Sequence, residues 1–127
     1  MNSAGQRVLI VDDDIMVADT LRMVFSKNGY DSRTSYSANE GLACAREFRP
    51  DLLLCDVQMP GRDGLSLVSE IVDELPDCRI LFLTGFYAGL DSIKRYSRSL
   101  ARPIGVLIKP CLPTELLREA NAILSTT

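Results

Sequence analysis

The chain has 127 residues, 46% hydrophobic and 24% charged, with a net charge of −3. That length suits one domain burying roughly 65–70% of its unfolded surface, and the composition argues against disorder. The negative charge argues against binding that works by neutralising nucleic-acid phosphates. No apolar run nears the roughly 20 residues needed to span a bilayer. The opening MNSAGQR lacks the apolar segment of a signal peptide, so the reading is a soluble, cytoplasmic chain without a membrane partner. Cys44, Cys55, Cys78 and Cys111 show no C-x-x-C spacing and histidine is absent, which argues against zinc and against a Cys/His nucleophile pair.

In chain order, RVLIV is short, continuous and branched, a strand pattern. Asp14 is placed to cap the next helix, in which Val17, Leu21, Val24 and Phe25 recur at helical spacing before Asn28-Gly29 ends it. YDSRTSY reads as a more polar strand near a sheet edge. SANE, residues 37–40, is a capping-box pattern opening a helix through Phe48, with Pro50 ending it. DLLLCD is the third strand. Asp63-Gly64 opens a helix whose buried face is Leu67, Val68, Ile71, Val72 and Leu75, closed by Pro76. RILFLT is the fourth strand, followed by a mostly polar helix from Gly89 to Leu100 with Leu90, Ile93, Tyr96 and Leu100 as its apolar stripe. IGVLI is the fifth strand, and PTELLREANAIL the last helix, with Pro113 in its first turn. Five strand–helix pairs with near-continuous apolar strands predict an α/β fold: a doubly wound, five-stranded parallel sheet with helices on both faces.

In such a sheet ligands bind outside the carboxyl ends of the strands. Those ends carry Asp12 and Asp13, Asp56, Thr84 and Lys109. Taken singly, each is an ordinary turn residue, helix cap or solvated strand end. Gathered at one rim they form a constellation. Two carboxylates about 5 Å apart repel by roughly 3 kcal/mol at an effective dielectric near 20, so three need a counter-charge beyond one lysine. Oxygen ligands suit Mg²⁺ or Mn²⁺. A phosphoryl group would then be shared by the metal, the ammonium and a hydroxyl, with the central carboxylate as nucleophile.

VDDD, LLLCDVQMPGRDG, LFLTG and VLIKP, in this order, resemble the receiver domain of two-component response regulators, from about Arg7 to Leu124. The resemblance implies a flavodoxin-like fold. It implies Asp56 as phosphoacceptor, Asp13 as direct metal ligand, Asp12 as a ligand through water, and the backbone carbonyl of Gln58 as a further ligand. Thr84 would be the switch hydroxyl and Lys109 the lysine that pairs with the phosphoryl group. The bond between Lys109 and Pro110 would be cis, which an X-Pro bond permits at low cost. Such a domain is a signalling switch rather than an enzyme. It takes its phosphoryl group from a histidine kinase or phosphotransfer protein, and the donor histidine must come from that partner.

The chain departs from the family pattern in two places. Val106 stands two residues into the last strand, where an aromatic ring is common. The connection TGFYAGLDSIKRYSRSLARPIG is longer than usual, with Gly85 and Gly89 loosening it and Phe86 and Tyr87 beside the site. Phe86 and Gln58 occupy positions that set the rate of phosphoryl loss, and slow autodephosphorylation is expected. Lys94, Arg95, Arg98 and Arg102 form either a solvated face or part of an output surface on the last two helices and strand. Ile93, Tyr96 and Leu100 would be its apolar anchors or, the commoner case, core contacts.

Residues 1–127 are expected to form a single receiver, core 7–124, without an output domain, and Met1 fits a complete single-domain protein. Dimerisation through the last helices stays open. A receiver that binds partners without phosphorylation is an alternative. An aspartyl-phosphate phosphatase fits poorly, because Gln58 stands where a second acid belongs and the chain has no length for a cap. An FMN-binding flavodoxin fits poorly too, because three acids follow the first strand.

Overall fold

In the computed structural model of the chain, residues 5–59, 61, 63–85, 93–96, 98 and 104–125 are described. Strands β1 (Arg7–Val11), β2 (Asp31–Ser35), β3 (Leu52–Asp56), β4 (Arg79–Thr84) and β5 (Ile104–Ile108) form one parallel sheet in the order β2-β1-β3-β4-β5. The helices between and after them are α1 (Ile15–Lys27), α2 (Ala38–Phe48), α3 (Gly64–Glu74) and α5 (Pro113–Leu124), with helical residues at 93–96 and 98 forming α4. Parallel strands need crossovers, and here each crossover carries a helix that covers one face.

Strand alternation divides the core in two. Leu9, Val11, Leu53, Cys55, Ile80 and Phe82 face α2, α3 and Ile93 of α4. Val8, Ile10, Leu52, Leu54, Leu81 and Leu83 face α1 and α5, where Ala18, Phe25, Leu116, Ala120 and Ile123 cover them. All five residues of β3 are buried, as expected for the central strand of a sheet covered on both sides. β2 is polar and lies at the edge, as its composition suggests.

The helix starts follow from their caps. Asp14 accepts the Val17 amide at 3.2 Å, Ser37 the Glu40 amide at 3.2 Å and Asp63 the Ser66 amide at 2.9 Å, each satisfying an otherwise orphaned donor. Glu40 returns a bond from the Tyr36 amide at 3.1 Å, one residue earlier than a strict capping box would place it. The stripe expected on α1 is kept: Phe25 is fully buried and Val17, Leu21 and Val24 are half-buried, and Ala18 is fully buried beside them. On α3 Leu67, Val68, Ile71 and Leu75 are buried as expected, and Val72 is partly so. Leu90 and Leu100 lie outside the described residues, while Ile93 is buried and Tyr96 half-buried against the same core.

Leu54, fully buried in the layer under α1 and α5, stands two residues before the end of β3. Leu54→Ala should cost about 3 kcal/mol by lost transfer free energy and residual cavity. Urea unfolding should show a lower midpoint at an unchanged slope; a loss under 1 kcal/mol would mean that β3 does not anchor the rim.

Candidate phosphoacceptor and metal site

The backbone ladders continue to the carboxyl rim, so the polar side chains there stand on fixed supports. The Asp12 amide donates to Ser35 O at 3.1 Å, the Val57 amide to Leu83 O at 3.1 Å and the Lys109 amide to Thr84 O at 2.8 Å. Alternation also selects the side. Val8 and Ile10 lead to Asp12, Leu52 and Leu54 to Asp56, and Leu107 to Lys109, all in register with the layer that faces α1 and α5. Thr84 follows Ile80 and Phe82 on the opposite parity.

Asp12 is 1% exposed. Its Oδ2 accepts from Lys109 Nζ at 2.7 Å and its Oδ1 from the Asp14 amide at 2.9 Å. Asp56 is 8% exposed. Its Oδ1 accepts from the Gln58 amide at 3.2 Å, and its Oδ2 lies 3.4 Å from Lys109 Nζ. Asp13 is exposed, yet one oxygen from each of Asp12, Asp13 and Asp56 lies within 4.8 Å of the others. The structure therefore brings Asp12, Asp13, Asp56 and Lys109 into one pocket. Gln58 joins through its amide, and Thr84, itself buried, through its carbonyl. The Lys109–Pro110 bond is cis.

The electrostatics match this crowding. Burial raises the Asp56 carboxyl above its ordinary value; the Lys109 charge offsets part of this, and the Asp12 charge adds to it. Burial alone would lower the Lys109 ammonium, but its bond to Asp12 and the charges of Asp56 and Asp12 outweigh burial and raise it. Cys55, fully buried behind Asp56, has its thiol pushed well up by burial and then by the Asp56 charge, so it is inert. Three carboxylates with oxygens this close, and one ammonium, leave excess negative charge. A hard, oxygen-seeking divalent cation fits that donor set.

Val106, where an aromatic was expected by resemblance, is half-buried, pairs with Phe82 across the ladder and packs on the α2–α3 side of the core. Lys94, Arg95 and Arg98 are exposed, consistent with a solvated or output face. Phe86, Tyr87, Gly89 and Arg102 lie outside the described residues. The sequence reading gave Asp14 only a cap; its amide also fixes Asp12. Spacing could have hinted at this, since a side chain accepting from the amide two residues on is a common turn of aspartates.

The fold and this rim define a flavodoxin-like α/β domain with an acidic, lysine-bearing pocket. The chain belongs to the response regulator receiver domain family, which it matches over residues 8–121, the receiver of two-component systems. It is 36% identical over 122 residues to the response regulator MprA of Mycobacterium avium and 31% identical over 122 residues to the DNA-binding response regulator MtrA of Mycobacterium tuberculosis. These alignments cover 95% and 96% of the chain, which spans about half the length of both relatives, 52% in each case. Among solved structures it resembles a CheY-like receiver domain protein from Methanospirillum hungatei, with a TM-score of 0.85, 26% identity and coverage of 95% and 94% of the two chains. It also resembles the chemotaxis protein CheY4 of Vibrio cholerae, with a TM-score of 0.84, 28% identity and coverage of 94% and 99%.

A carboxyl group raised in the folded state favours folding only while protonated. Its contribution is complete below the unfolded value, here 3.8, and is lost as pH rises through the folded value. Asp56→Asn should therefore become more stable than the unsubstituted protein as pH rises from about 4 toward 7. In chelator the gain should reach about 1 kcal/mol, or ~3–5 °C in Tm. Calorimetry across pH measures this. A variant less stable than the parent at neutral pH would show that Lys109 more than compensates Asp56.

Proposed function

We propose that this receiver is a phosphorylation-operated switch that accepts a phosphoryl group on Asp56 from a histidine kinase or phosphotransfer protein, and thereby changes its partner binding. The observation that supports this best is the ammonium of Lys109 lying between Asp12 and Asp56, 2.7 and 3.4 Å away. A lysine so placed can meet an oxygen of a phosphoryl group arriving at Asp56 without leaving Asp12.

Asp56 supplies an oxygen to phosphorus as the phosphorus–nitrogen bond of a donor phosphohistidine breaks, which leaves an acyl phosphate and a free imidazole on the donor. Lys109 donates to a phosphoryl oxygen, and the Thr84 hydroxyl moves to donate to another. Asp13, Asp56 and the Gln58 carbonyl would hold Mg²⁺ or Mn²⁺ directly, with Asp12 acting through water. That ion neutralises charge on the transferring group. The protein's remaining work is positioning, which the ladder bonds to Ser35, Leu83 and Thr84 provide. Water later cleaves the acyl phosphate slowly, since a phenyl ring at Phe86 cannot orient it and Gln58 alone of these two positions carries a polar side chain. The chemistry is limited to the domain's own phosphorylation and release, so this is a switch and no enzyme acting on other substrates.

The chain has no histidine, so the donor must dock. A mostly apolar groove of about 390 Å³, lined by Met16, Thr20, Leu21, Leu83 and Pro110 among others, opens beside Lys109. Met16 in its lining is exposed, as are Ile15 and Leu112, each next in sequence to a lining residue. Contiguity with the pocket makes this the approach for the protein bearing the phosphohistidine. Lys94, Arg95 and Arg98 on α4, with β5 and α5, are assigned to the downstream partner, and we assign no nucleic-acid contact to these residues. Residues 7–124 are taken as one receiver unit. A cytoplasmic setting is usual for such regulators; among the described residues no helix is long and apolar enough to cross a membrane.

Incubation with Mg²⁺ and a small acyl phosphate should add one phosphoryl group by intact mass, and Asp56→Asn or chelator should abolish it. A receiver that binds Mg²⁺ yet takes no phosphoryl group would favour the alternative of phosphorylation-independent partner binding. Met16→Asp, at an 80% exposed position, should leave labelling by the small donor within about 2-fold and slow transfer from a phosphorylated histidine protein by roughly tenfold, as for loss of one apolar interface anchor. Equal effects on both donors would remove the groove from the docking surface.

A further inference from the structure

Gly64 is the first residue of α3, and its role goes beyond starting a helix. A Cβ built on it would stand 2.2 Å from the Asp56 carbonyl oxygen, 3.1 Å from the Asp56 carbonyl carbon and 2.9 Å from Cys55 Sγ. Backbone is the obstacle, so no rotamer change relieves it. At Gly41 and Gly105, by contrast, an added Cβ meets the ends of side chains: Val11 and Leu67 at one, Ile123, Leu81 and Glu119 at the other. Nor is Gly64 present for its dihedral angles. The positive-φ glycines are Gly5, Gly29 and Gly61 among the described residues, and at Gly61 nothing lies within 4 Å. Gly61 serves conformation and Gly64 serves close approach.

We propose that Gly64 is a positioning residue for the acceptor: its missing side chain lets the first turn of α3 close on the Asp56 peptide and fix the backbone of residues 56–58. Three further contacts make the arrangement rigid. The Gly64 amide donates to Val57 O at 2.9 Å. The Asp63 cap on the Ser66 amide, at 2.9 Å, sets where the helix begins. The Gln58 amide, held in the same turn, orients Asp56 Oδ1. α3 is itself fixed to the sheet by Leu67, Val68 and Ile71, so it cannot retreat freely from a Cβ. The added atom would have to be accommodated by roughly 1 Å of movement in the 56–58 segment, where an ångström of misplacement can cost on the order of 10²-fold in rate. This inference rests on the reading of Asp56 as acceptor and deepens it.

The test compares Gly64→Ala with Gly41→Ala, the latter a packing control in the same core layer whose added Cβ meets the side chains of Val11 and Leu67 rather than backbone. Three quantities are measured on each folded variant: thermal unfolding, Mn²⁺ affinity by electron paramagnetic resonance, and the rate of phosphoryl uptake from a small acyl phosphate in Mg²⁺. Gly64→Ala should lose 10- to 100-fold in rate and several-fold in Mn²⁺ affinity while unfolding cooperatively. Gly41→Ala should lose stability with both site readouts within about 3-fold. A folded Gly64→Ala with parental rate and Mn²⁺ affinity overturns the proposal, as does an equal loss of site function in Gly41→Ala. If Gly64→Ala does not fold, the same readings on Cys55→Ala/Gly64→Ala, with one close contact removed, decide the matter. If the parent protein takes no phosphoryl group, the acceptor reading fails by itself. Mn²⁺ affinity then decides for Gly64: weakened binding upholds its positioning of the carboxylate, and unchanged binding overturns it.

Discussion

One ammonium stands between two buried carboxylates: Lys109 is 2.7 Å from Asp12 and 3.4 Å from Asp56. Burying either acid alone would be costly, since a desolvated carboxylate without a partner favours its neutral form or the unfolded chain. The lysine makes the pair tolerable without making it comfortable, because its shorter bond is to Asp12 and Asp56 is left with its carboxyl raised. The distances require β1, β3 and β5 to end at one level. That requirement is met by ladders running to the rim and by a core in which every β3 residue is buried.

The division of the core by strand alternation explains why these residues are neighbours while Thr84 stands apart. Asp12, Asp56 and Lys109 share parity with the leucines and valine under α1 and α5, whereas Thr84 shares parity with Phe82 under α3 and α4. A hydroxyl that is to reach a phosphoryl group on Asp56 therefore comes from the other layer, the one containing Ile93, Tyr96 and Val106. Thr84 thus shares parity with the layer that includes Ile93 of α4, and the acids and lysine with the α1–α5 layer. On the proposed switch role of Thr84, with Val106 in place of a ring and Phe82 fully buried beside it, coupling would run through packing of aliphatic and fixed aromatic groups.

Much of this was legible in the chain because the signals were of the strongest kinds. Apolar runs of five or six residues named four strands and the polar stretch YDSRTSY the fifth, at the edge, and the caps at Asp14, Ser37 and Asp63 set helix starts that the structure keeps. The acids and the lysine were legible as a set because a parallel sheet gathers strand ends at one rim. Other features were not legible, since they depend on tertiary distance. Ala18 is fully buried on α1 where the larger Val17, Leu21 and Val24 are half-buried, a depth that periodicity does not encode. The pressing of Gly64 on the Asp56 carbonyl is likewise invisible in spacing, where that glycine looks like any helix start.

The charge balance also orders events in the pocket. Three carboxylates whose oxygens lie within 4.8 Å, facing one ammonium, sum to a net negative site. A phosphoryl group adds negative charge at the same place, and at an effective dielectric near 20 each new contact with an acid at ~4 Å costs about 4 kcal/mol. Lys109 offsets part of this while keeping its bond to Asp12. On the proposed role of Asp56 as acceptor, the protein alone repels the incoming group, and a bound cation would remove that repulsion. Since a cation that binds the folded form also stabilises it, the charge that weakens the resting pocket would, on that reading, make phosphoryl transfer conditional on metal.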